Sequence, residues 1–175
     1  MAMTEPEQAA RMVQLAVAGD EYAFARIVAA YHDDLSRVAF VVCREADMAQ
    51  EAVQEAWSIC WRQLPRLRDP ARLRGWLVAT AANQARQVVR RSVRELEVGD
   101  RHGAVGVDPA GGAGDMDLRN ALGRLSAEDR SLLALRYVAG VEATALSRLT
   151  GLSPSGTRAR LARLLTTLRR ELSDA

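Results

Sequence analysis

The side chain with most to offer chemically in this chain is arginine. All 24 of its cations are Arg and none is Lys, and a guanidinium fork matches phosphates and the guanine edge. From Pro70 through Arg94 there are six arginines and no acid. Set on a helix at about 100° per residue, Asn83, Arg86, Gln87, Arg90 and Arg94 fall on one arc, with Trp76 at its N-terminal end. Leu77, Val78, Ala81, Ala85, Val88 and Val89 fall on the opposite arc. A solvated face ordinarily mixes signs, because opposite charges at i,i+4 stabilise a helix and like charges repel. A face of one sign predicts an anionic partner, and nucleic acid fits best. Trp76 could stack on an exposed base there or seal the domain core.

A second arginine cluster lies near the end, in "LSPSGTRARLARLLTTLRREL" (152–172). Arg158, Arg160, Arg163, Arg169 and Arg170 meet no acid before Glu171. Thr157, Leu161, Leu164, Leu165, Leu168 and Leu172 share an apolar arc, and Ala159 and Ala162 lie among the arginines. With the preceding "ATALSRLTG" the segment has the shape of a helix-turn-helix. Gly151 makes the turn, and Ser153–Pro154 open the longer helix as cap and first residue. Such a helix enters the major groove, its N-terminal turns reading base edges while flanking arginines hold phosphates.

The segment "DMAQEAVQEAWSICW" (47–61) sorts the other way. Ala49, Val53, Ala56, Trp57 and Cys60 build its apolar arc; Asp47, Gln50, Glu51, Gln54, Glu55 and Ser58 build an acidic, amide-rich one. DNA would repel that surface. Charge alone assigns it to solvent or to a basic protein.

Nothing clusters His, Cys or carboxylates as catalysis or metal binding would require, and no Gly loop follows a strand to cradle phosphate. Neither catalysis, metal nor cofactor is expected. Cys43 and Cys60 read as small buried residues in a reducing compartment, with His32 and His102 remote. "MAMTEPEQAARMVQLAVAGD" is too polar for a signal peptide, and no apolar run is long enough to cross a bilayer. A cytoplasmic protein without membrane insertion is expected.

These faces need helices to display them. Net charge is only +2 and aromatics only 5%, while helix formers abound and β-branched runs are scarce, which predicts an all-α fold. Composition breaks once, at "GDRHGAVGVDPAGGAGDMD" (99–117), where six of nineteen residues are Gly. The expected architecture is two small helical domains, 1–98 and 118–175, joined by a flexible Gly-rich linker over 99–117. Helices are expected near 6–18, 21–43 with Asp20 as cap, 46–63 and 71–97, with "LPRLRDP" as a loop. Beyond the linker they are expected near 117–124, from a Ser126–Asp129 capping box to about 138, near 142–150, and onward from Pro154.

In their order and spacing, these segments resemble bacterial RNA polymerase sigma factors of the extracytoplasmic-function (ECF) type. "AFARIVAAYHDDLSRVAFVVCREADMAQEAVQEAWSICW" is similar to the family's polymerase-binding helices. "LRGWLVATAANQARQVVRR" is similar to its minus-ten-reading helix, and "ALGRLSAEDRSLLALRYVAGVEATALSRLTGLSPSGTRARLARLLTTLRREL" to its minus-thirty-five domain. The resemblance implies promoter recognition and local melting without covalent chemistry. It turns the acidic face into a polymerase contact: Asp47, Gln50, Glu51, Gln54 and Glu55 would meet the clamp coiled coil of the largest subunit, and the C-terminal domain the flap of the second-largest. It places Arg66 and Arg68 beside a base flipped from the minus-ten element, next to Trp76, Asn83, Arg86, Gln87, Arg90, Arg91 and Arg94. It gives the minus-thirty-five element to Ser155, Arg158, Ala159, Arg160, Ala162 and Arg163. A cognate anti-sigma factor is a further implied partner. The chain departs from the family pattern at Gln50 and Gln87, where acids are usual, and at Glu142, Ser147, Thr150 and Thr157 in the helix-turn-helix. A stand-alone helix-turn-helix regulator and a sigma-like adaptor that binds polymerase without reading promoters are the alternatives.

Overall fold

The computed structural model describes residues 5–98 and 113–173. In chain order it forms α1 (Glu5–Val17), α2 (Glu21–Cys43), α3 (Ala46–Gln63), α4 (Leu73–Val98), α5 (Ala113–Gly123), α6 (Ala127–Leu133), α7 (Ala143–Thr150) and α8 (Pro154–Ser173). No strand occurs among the described residues.

Each boundary has a local cause. The Asp20 carboxylate accepts from the Ala23 N–H at 3.1 Å and starts α2. Arg44 ends it in the left-handed region, at φ 66°, with its N–H on the Phe40 carbonyl. Ser126 accepts from the Asp129 N–H and caps α6, and Ser153 accepts from the Gly156 N–H and caps α8. Between α3 and α4 the expected loop carries two short 3-10 turns, Leu64–Arg66 and Pro70–Arg72, the second capped by Asp69 through the Ala71 N–H.

Two expectations are corrected. The helix expected to reach about 138 stops being α-helical at Leu133 and widens into a π turn over Ala134–Val138, where the Ala139 N–H reaches the carbonyl of Ala134. Residues 113–117 of the expected linker are helical, because a Gly-rich average cannot locate where a helix begins. The rest of that linker, with His102, lies outside the described residues.

The apolar arcs point inward. Ile27, Leu35, Val38 and Val42 of α2, Ala52, Val53 and Ala56 of α3, and Leu77, Val78, Ala81 and Ala85 of α4 are all buried. Packing does not stop at the linker. Helix α6 and the π turn lie on α2 and α4, so Leu132, Leu133 and Ala134 join the same apolar cluster. The Arg130 guanidinium donates to the Val42 carbonyl at 2.7 Å and to the Leu125 carbonyl at 2.6 Å, and Arg74 donates to the Ala139 carbonyl at 2.6 Å.

Cys43 and Cys60 are unpaired and buried, and burial pushes both thiols up to about 12. Since the thiolate is the reactive form, a thiol reagent at pH 8 should label neither in the native chain and both in denaturant. Truncating Leu77 to Ala should cost about 2–5 kcal/mol, read from a urea titration.

Candidate nucleic-acid interface

The polar stripe of α4 forms as the periodicity predicts. Asn83, Gln87, Arg90 and Arg94 are exposed, Arg86 is half-buried, and Leu77, Val78, Ala81, Ala85 and Val88 face the core. Trp76 is half-buried and packs on the core cluster. The cationic stripe is less open than the sequence suggests. Arg72 pairs with Asp69 and Arg74 with Asp34. Arg90 reaches the Glu128 carboxylate on α6 at 2.6 Å. Arg91 bonds Glu51 at 2.7 Å and Glu55 at 2.9 Å on α3. Four of the six guanidiniums thus meet acids, all but Asp69 from helices remote in sequence, which a window along one helix cannot contain.

Two cations of the stripe make no direct ion pair among the described residues, although Glu128 lies close enough to Arg86 to favour its charge. Arg94 is exposed. Arg86 donates to the Asn83 side-chain oxygen at 2.9 Å, its Nε is buried with no partner, and burial pulls its guanidinium down from its ordinary value. Arg86 lines a cleft of about 390 Å³ with Trp76, Asn83 and Gln84 on one wall and Glu128, Leu132 and Leu149 on the other. Sequence reading missed that far wall and Gln84, a polar residue only 5% exposed. Arg66 and Arg68 are exposed on the segment between α3 and α4.

On α8 the expected reading face is open. Ser155, Arg158, Ala159, Ala162 and Arg163 are exposed. Arg160, in the same expected set, is half-buried and bonds Asp129 at 2.7 Å, tying α8 to the cap of α6. Glu142 makes no side-chain cap bond at the start of α7. Thr157 is fully buried with its hydroxyl unpartnered.

The acidic arc of α3 faces outward: Asp47, Gln50, Glu51 and Gln54 are exposed and Glu55 is half-buried. Beside it runs a feature the charge pattern did not announce. A groove of about 720 Å³ between α2 and α3 is walled by Phe40, Val41, Val53 and Trp57, with Gln50 and Gln54 also lining it. His32 accepts there from the Trp57 indole N–H at 3.3 Å. Among the described residues, no group of three or more His, Cys, Asp or Glu could hold a metal, and no helix is long and apolar enough to cross a membrane.

Residues 27–95 match the family described as Sigma-70 region 2. The chain is 32% identical over 168 residues to a probable RNA polymerase sigma factor, RfaY, of Xanthomonas campestris, covering 90% of this chain and 42% of that one. It thus spans less than half the length of that relative. It is 30% identical over 172 residues to the ECF RNA polymerase sigma factor SigM of Mycobacterium tuberculosis, covering 89% of this chain and 84% of SigM. The chain belongs to the ECF RNA polymerase sigma factors. Its fold matches that of CnrH, solved with the cytosolic domain of CnrY, at a TM-score of 0.71 and 22% identity over 95% of this chain and 98% of the other. It also matches the sigma factor RpoE of Bartonella quintana, solved with the anti-sigma factor NepR, at 0.71 and 21% over 86% and 96%.

A buried hydroxyl without a partner costs about 1–3 kcal/mol, and an apolar residue of the same shape removes that cost. Thr157→Val should raise the urea midpoint by an amount equivalent to about 1 kcal/mol and leave duplex-DNA affinity unchanged, because residue 157 faces the core.

Proposed function

We propose that this chain directs core RNA polymerase to promoters and assists their melting, with no covalent step of its own, in the cytoplasm. The observation that carries the reading is the open N-terminal face of α8, where Arg158 and Arg163 stand exposed with no acid among the described residues to neutralise them. Ser155, Ala159 and Ala162 leave that face low enough for base edges to approach. Trp76, Asn83, Arg86, Gln87, Arg90 and Arg94, with Arg66 and Arg68, form the minus-ten site. Trapping an unstacked base there offsets the few kcal/mol that unstacking costs. Arg91 completes the set, its guanidinium also bonded to Glu51 and Glu55 on α3.

Polymerase docks on α3. Its occupant is the clamp coiled coil of the largest subunit, laying an apolar stripe along Phe40, Val41, Val53 and Trp57 and basic residues against Asp47, Glu51 and Glu55; Gln50 and Gln54 bond its polar edge. The flap of the second-largest subunit takes the C-terminal half. An anti-sigma factor is a further partner, supported by the CnrY and NepR complexes of the structural relatives.

The test is run-off transcription with core polymerase on templates from the parent genome: promoter-specific transcripts are expected, and none on any template would refute the reading. Arg158→Ala/Arg163→Ala should weaken promoter binding by the holoenzyme about tenfold or more and flatten its salt dependence by about two ions. Trp57→Ala should weaken co-purification with core polymerase and leave DNA contacts untouched.

A further inference from the structure

The cleft of about 390 Å³ between α4 and the C-terminal helices holds polar groups that packing leaves unused. Gln84 on α4 and Ser131 on α6 both line it, and at 5% and 3% exposure they are almost wholly buried. Neither side chain has a hydrogen-bond partner among the described residues. Buried polar groups are nearly always partnered, so two unpartnered ones on a single cavity mark a place for a ligand. Arg86 lines the same cleft. Of the N–H donors a guanidinium carries, it gives one to Asn83, and its Nε is buried without an acceptor.

Charge sets the sign of that ligand. Arg86 and Arg90 share one carboxylate, Glu128, which bonds Arg90 directly and reaches Arg86 only through its field. Two cations against one anion leave room for a single negative charge. Shape sets the rest. Ile59, Leu132, Leu135 and Leu149 make the walls apolar, and Trp76 adds an aromatic ring. The Arg86 guanidinium reaches back to Asn83, which lies about 10 Å along the helix axis from Trp76. We propose that this cleft binds a small aromatic monocarboxylate bearing a further hydroxyl or carbonyl group. The carboxylate meets Arg86, the rings lie against Trp76 and the leucines, and the second polar group answers Gln84 or Ser131. A carboxylate matches the fork of a guanidinium, and a fused two-ring body spans the distance to Trp76. The site belongs to the free chain and stands whether or not α4 reads promoters.

The test is isothermal titration calorimetry of the full chain, without polymerase, against 6-hydroxy-2-naphthoate as the probe. Saturable one-to-one binding is expected. 2-Naphthoate, which lacks the hydroxyl, should bind several-fold more weakly, and 2-naphthol, which lacks the carboxylate, about tenfold more weakly or worse, the loss of a neutral and a charged hydrogen bond respectively. Arg86→Gln should weaken the acid about tenfold and leave 2-naphthol unchanged. Leu149→Trp narrows the cleft from an exposed position, so it decides the matter even if Arg86→Gln fails to fold; it should weaken every probe. Gln50→Trp, which fills the groove between α2 and α3 instead, should change nothing. No saturable binding by the parent chain overturns the site, as does binding that Leu149→Trp leaves intact. Binding lost in Gln50→Trp belongs to the other groove and overturns it too. Equal affinity for the acid and for 2-naphthol removes Arg86 as the partner of an anion and sinks the proposal.

Discussion

The packing of the two halves turns on a cation that meets no acid. Arg130 is almost wholly buried, and its two hydrogen bonds go to carbonyls, one on Val42 near the end of α2 and one on Leu125 just before α6. The last carbonyls of a helix lack intrahelical donors and carry the negative end of its dipole. A guanidinium placed there satisfies an orphan acceptor of α2 and anchors α6 together. Without it, α6 would lose the polar contact that fixes where its apolar face meets α2. The Arg44 guanidinium shares this region and lies over Gly123 at the end of α5.

The same shortage of acids near arginine recurs across the molecule, and each helix resolves it differently. On α4, Arg74, Arg90 and Arg91 draw carboxylates from α2, α6 and α3 in turn. Helix α4 is therefore held from several sides by charge as well as by its apolar face. Arg86 makes no direct ion pair and shares only the field of Glu128, and Arg94 is exposed without a carboxylate partner among the described residues. On α8 Arg160 is drawn to Asp129 and Arg170 lies beside Glu171, so the turns around Arg158 and Arg163 keep their positive field. Glu51 and Glu55, shared with Arg91, keep exposed or half-exposed carboxylates beside an apolar groove. That pairing of acid with open apolar surface suits a basic amphipathic helix better than solvent does.

Much of this was legible in advance. The capping residues Asp20, Ser126 and Ser153, and the apolar arcs of α2, α3 and α4, follow from local rules that need only neighbours within one helical turn. So does the exposure of Ser155, Arg158 and Arg163, since a strong arc of Leu161, Leu164 and Leu168 leaves one other direction for them. Family membership likewise rests on the order of short segments, which a sequence states outright.

What the sequence could not state is which charges find each other across α2, α3, α4 and α6. Glu128 lies 38 positions from Arg90 and Arg130 lies 88 from Val42, separations at which a one-dimensional pattern carries no distance. The amphipathic arcs were fixed by a periodicity every residue shares with its nearest neighbours. Ion pairing was decided only when the apolar faces met and brought particular oxygens within reach of particular nitrogens, because Coulomb attraction in water is worth little until two groups are almost in contact.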